Sequence, residues 1–111
     1  MTTFETEIQR KKRILLTETL EEVIDVPREY WEVMRNKNYT EVMIRQIFIY
    51  LLHKYIGYND QMIADICGFK NHTSTLRNVR VAEVWVGSPD KYPYQNEIIR
   101  KVVELYEQRN S

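Results

Sequence analysis

The chain has 111 residues, 43% of them apolar, with three glycines and three prolines, enough for one domain with its own core and too short for two. No run approaches the roughly 18 apolar residues of a membrane span, and the start Met1-Thr2-Thr3-Phe4-Glu5 lacks the basic-then-apolar form of a secretory signal, so a non-membrane, cytoplasmic protein is expected. Sixteen basic and sixteen acidic residues cancel, which counts against nucleic acid, yet residues 35–80 hold seven Lys/Arg against three Asp/Glu between net-acidic flanks, so one cationic face remains open to the chain.

The hydrophobic period is helical almost throughout and predicts an all-α domain of about six helices containing a helix-turn-helix. Residues 1–16 read as an N-terminal helix that frays, carrying Phe4 and Ile8 on one side and the solvated cluster Arg10-Lys11-Lys12-Arg13. Thr19 and Glu22 have capping-box spacing and predict a second helix to about Asp25, with Leu20, Val23 and Ile24 buried. Pro27 ends it at Val26, and a short element over 28–34 makes a packed corner of Tyr30, Trp31, Val33 and Met34.

Residues 35–39 are polar, cationic and without apolar period, hence a loop. From Thr40, a cap, Ile44, Ile47, Phe48, Leu51, Leu52 and Tyr55 form the clearest buried stripe, a central helix stopped by Gly57. Asn59 caps a short helix over 60–67 that buries Met62, Ile63 and Ile66, and the single cysteine, Cys67, belongs to this apolar setting. Gly68 breaks the chain, and Asn71 caps a further helix to about Trp85 with Leu76, Val79, Ala82 and Val86 in phase. After the turn cluster Gly87-Ser88-Pro89-Asp90, Pro93 opens a last helix with Ile98, Ile99, Val102, Leu105 and Tyr106 inward. The domain thus divides into 1–16, a core over 17–86 and a packing helix in 87–111.

Catalytic parts are lacking: no phosphate-binding Gly-rich loop, no Cys-x-x-Cys and no His-Glu-x-x-His, with His53 and His72 on different elements. Neither an enzyme, a cofactor, a metal nor a nucleotide is expected. The informative segment is Phe69-Lys70-Asn71-His72-Thr73-Ser74-Thr75-Leu76-Arg77. A helix start offers unpaired N–H groups to a phosphate, and short polar side chains in its first turn reach base edges in the major groove; the plainer alternative is that Asn71 and Thr73 are ordinary capping residues and His72 an exposed imidazole.

Residues 35–85 resemble the C-terminal DNA-binding domain (domain IV) of the bacterial replication initiator DnaA, a TrpR-like helix-turn-helix. That family's recognition helix carries Gly-Arg-Asp-His-Thr-Thr-Val-Leu, matched here by Phe69-Lys70-Asn71-His72-Thr73-Ser74-Thr75-Leu76, and its central helix begins Arg-Gln before an aliphatic run, matched by Arg45-Gln46-Ile47-Phe48-Ile49-Tyr50-Leu51-Leu52. The resemblance implies that Asn71, His72, Thr73 and Ser74, with Arg77 further along, face bases of double-stranded DNA. It also implies that Arg45 and Lys70 hold phosphates and that Arg35 and Lys37 approach the backbone or minor groove. Asn71 stands in place of the family's aspartate and can donate as well as accept, so its preferred base differs.

The expected function is sequence-specific duplex binding in replication control or transcriptional regulation, of a bacterial or phage chain, as monomer or dimer. Two alternatives stand beside it. One is a protein-interaction module on the same scaffold, with an exposed patch at Trp85, Tyr92 and Tyr94, for which core packing is the plainer reading. The other is a DNA-binding piece of a mobile-element protein.

Overall fold

The computed structural model describes residues 5–32 and 38–111, within which the chain forms five α-helices and no strand. Helix α1 (Glu7–Ile24) starts at a capping box: the Thr6 hydroxyl accepts from the Gln9 N–H and the Gln9 side chain accepts from the Thr6 N–H. No break precedes Thr19, contrary to expectation. Thr19 is buried inside α1 and its hydroxyl donates to the Leu15 carbonyl at 2.7 Å. A running helix pairs its N–H groups one turn back, so none is left for Thr19 to cap. The boundary at residue 17 therefore falls inside one helix, and the described residues form five α-helices where about six were expected.

Asp25 closes α1 in the left-handed region at φ 56°. Pro27 then starts a 3-10 turn, Arg28–Tyr30. Trp31 is fully buried, its Nε1 donating to the Val26 carbonyl at 2.9 Å and its ring meeting Phe48 edge-on at 5.3 Å. Tyr30 stays half exposed, outside this corner, and Val33 and Met34 lie outside the described residues.

Helix α2 (Tyr39–Leu51) is capped by Asn38 rather than Thr40, the Asn38 Oδ1 accepting from the Thr40 N–H at 2.9 Å. Ile44, Ile47, Phe48, Leu51 and Leu52 are buried as their spacing predicts. Tyr55 is 47% exposed, because the closing turn, Leu52–Ile56, widens to π-helical spacing and the N–H groups of Gly57 and Tyr58 both reach the Leu52 carbonyl. A wider turn shifts the helical phase, which carries Tyr55 off the stripe. Tyr58 goes inside instead, its hydroxyl against the Glu5 carboxylate and 3.0 Å from the Gln9 carbonyl.

Asn59 caps α3 (Asp60–Cys67), Gly68 ends it at φ 77°, and α4 (Thr73–Gly87) and α5 (Pro93–Asn110) follow. Helix α1 packs along α5, while α2 and α3 pack on α4. Leu16, Leu20, Ile47, Ile63 and Val102 join one core, and the Cα radius of gyration is 13.1 Å, as a single domain of this length requires. Among the described residues no helix is long and apolar enough to cross a membrane.

Candidate nucleic-acid interface

Helices α3 and α4 are joined by the turn 68–72, giving the helix, turn and helix that the sequence predicts. Gly68 turns the chain in the left-handed region, where a side chain would be strained. The buried Thr75 hydroxyl, from the first turns of α4, donates to the Asp60 carbonyl at the start of α3 (3.2 Å) and sets the two helices against each other.

The amino end of α4 faces solvent. Lys70, Asn71, His72, Thr73 and Arg77 are exposed and Ser74 is half-buried. The cap of α4 falls at His72 and not at Asn71 as expected; Asn71 stands one residue earlier, and its Oδ1 accepts from the N–H of the first helical residue, Thr73, at 3.0 Å. Ser74 is less available, lying beside Asn78, whose amide donates to the Ser74 carbonyl at 2.6 Å.

Two expectations change. Arg45, expected at a phosphate, is inside the molecule with only 5% of its surface exposed, and its Nε donates to the Trp31 carbonyl at 3.1 Å. Burial lowers its proton affinity below the ordinary arginine value. Its place in the α2 stripe, one residue after Ile44, turns it inward beneath Trp31, so it serves the fold and not a surface anion. Arg35 and Lys37 lie outside the described residues.

Leu76 was expected inward, in phase with Val79, Ala82 and Val86. The inward face of α4 is instead Thr75, Val79, Ala82 and Trp85, while Leu76 is half-buried and Val86 exposed. Leu76 joins Thr73, Arg77, Arg80, Val81 and Val84 around a shallow outward trough of about 400 Å³. Arg80 escaped the sequence reading, although its place three residues beyond Arg77 and seven beyond Thr73 puts it on the same helical face.

Arg13, Arg28, Lys54, Arg100, Lys101 and Arg109 each meet a carboxylate. Lys70, Arg77 and Arg80 meet none among the described residues, as is also true of Arg10, Lys12 and Lys91, but around α4 neither the trough nor the first turn contains an acid. The face combines three unneutralised cations, hydrogen-bonding side chains and aliphatic surface, a set suited to a polyanion with apolar groups between its charges.

Burial pushes the Cys67 thiol up to about 12, and among the described residues no cluster of three or more His, Cys, Asp or Glu side chains is arranged to hold a metal ion. Trp85 is packed in the core and Tyr92 against it, with Tyr94 alone of the three exposed, so they form no common surface patch. Comparison of the chain with protein-family models, with characterised proteins and with solved structures returns no match.

Proposed function

We propose that the protein binds double-stranded DNA in a sequence-dependent way, with α4 as the recognition helix and a role in replication control or transcriptional regulation. The observation that carries this reading is the exposed amino half of α4 and the turn before it, where Lys70, Arg77 and Arg80 have no acidic partner among the described residues although the chain as a whole is neutral. Phosphate neutralisation needs local cations rather than net charge. The resemblance of residues 35–85 to the DNA-binding domain of the initiator DnaA supports the same assignment, with Asn71, His72 and Thr73 at base edges and Lys70 at a phosphate.

Anisotropy titration of labelled duplexes over a range of salt concentrations tests it. The wild-type chain binds with an affinity that falls steeply with salt. Lys70→Ala weakens binding to every sequence and lowers the logarithmic salt slope by about 0.9, whereas His72→Ala and Thr73→Ala reduce the preference among sequences and leave the slope in place. Absence of duplex binding at low salt sinks the reading, and equal effects of all three variants on every sequence sink its base-reading part.

A further inference from the structure

Resting on that reading, we infer that the outward stripe of α4 reads a thymine next to a guanine: Leu76 packs on the thymine 5-methyl group, Arg77 bonds the guanine edge, and Arg80 holds a phosphate at the groove rim.

Leu76 is only half-buried although its period puts it in phase with the buried Val79. A leucine that the core does not claim, set among guanidinium groups on an exposed helix face, leaves apolar surface in water. In the major groove the one apolar group among the base edges is the thymine methyl, and the strongest acceptor pair for a guanidinium is guanine O6 with N7. The trough presents both partners on adjacent residues and contains no carboxylate.

Reach decides how the stripe divides. At 1.5 Å per residue, Thr73 and Arg80 are separated by about 10 Å along the axis, close to the roughly 8.5 Å depth of the groove. With the amino end of α4 innermost, Leu76 and Arg77 lie at base level and Arg80 emerges among phosphates. Val84, a turn further on and 56% exposed, stands beyond the groove. An arginine at base level bonds the guanine acceptors, whereas one at the rim meets only phosphate charge, so Arg77 and Arg80 differ in their dependence on guanine N7.

The test takes the full chain and the tightest duplex it recovers from a random library, then resynthesises that duplex with deoxyuridine for thymidine, which deletes the methyl, or with 7-deazaguanine for guanine, which deletes N7. Wild-type affinity falls roughly threefold to fivefold per contacted methyl, the worth of one buried methylene, and about fivefold or more for the lost acceptor. Leu76→Ala becomes indifferent to uracil while remaining sensitive to 7-deazaguanine; Arg77→Met, which removes the donors, shows the reverse, and Arg80→Lys keeps both sensitivities. Leu76→Val, which shortens the reach by one carbon, takes the place of Leu76→Ala if the latter fails to fold by circular dichroism. A structural role alone weakens natural and modified duplexes equally. The inference is overturned if wild type tolerates uracil, if the Leu76 variants keep the wild-type response to it, or if the library yields no preferred sequence. The first two outcomes leave sequence-dependent DNA binding standing, the third removes the sequence dependence as well, and failure to bind any duplex removes the proposed function altogether.

Discussion

At the residue scale the decisive side chain is Arg45. Its position after Ile44 puts it on the buried side of α2, where its Nε satisfies the Trp31 carbonyl at the corner leaving the 3-10 turn. A charged donor to a buried carbonyl contributes about 2 kcal/mol when its loss strands the acceptor. Arg45→Ala should therefore lower unfolding stability by about that amount in urea titrations, while the salt slope of duplex binding stays at the wild-type value. A lowered slope with unchanged stability would restore Arg45 to the phosphate role that the DnaA resemblance implies. Cys67 makes the complementary point: its apolar surroundings keep the thiol protonated, so it behaves as a small core residue.

At the scale of elements, helix ends are where local chemistry speaks most plainly. Asn38, Asn59 and Asn71 each accept from a backbone N–H at the start of a helix, and Gly57 and Gly68 take the left-handed turn at an end. Gly57 isolates the backbone effect, because a Cβ built there meets nothing within 4 Å while φ is +82°. Gly57→Ala should cost about 1 kcal/mol from conformation alone, and Gly57→Asn distinctly less, since asparagine tolerates that region. Equal losses in chemical denaturation would mean that space, not φ, governs the position. The capping box Thr6 to Gln9 was just as readable in the sequence as the Thr19 to Glu22 pattern. What separates them is that residues 15–18 contain nothing to interrupt a helix already under way.

For the whole molecule, the contacts between distant segments are polar ties around an apolar centre. Glu5 and Arg13 join α1 to Tyr58 ahead of α3, and Arg109 joins α5 back to Thr19 and Glu22. The Arg13 guanidinium holds the Glu5 carboxyl below its ordinary value, and burial followed by the Glu5 contact raises the Tyr58 hydroxyl. Burial likewise raises Tyr50, Tyr106 and Cys67. A raised value in the folded state means that the native chain keeps protons which the unfolded chain loses above its ordinary values of 9.0 for the thiol and 10.0 for the phenols. Stability from these groups is complete below that range and is lost as pH climbs through it. The urea midpoint should accordingly fall above about pH 9, with a shallower fall in Tyr58→Phe; a midpoint flat to strongly alkaline pH contradicts these burials.

What the sequence determined by itself was the all-helical class, the glycines that stop the central helix and α3, the proline that opens α5, and the stretch around the start of α4, because period and turn chemistry are properties of neighbouring residues. The tertiary structure decided which faces are covered. Period shows that Leu76 shares one side of α4 with Val79, yet only the placement of α2 and α3 puts Val79 inside and leaves Leu76 facing out beside Arg77. The same holds for Arg45, enclosed beneath Trp31, and for Tyr55 and Tyr58, exchanged by one wide turn. A side chain is buried by the elements packed against it, and no local pattern within a helix specifies those.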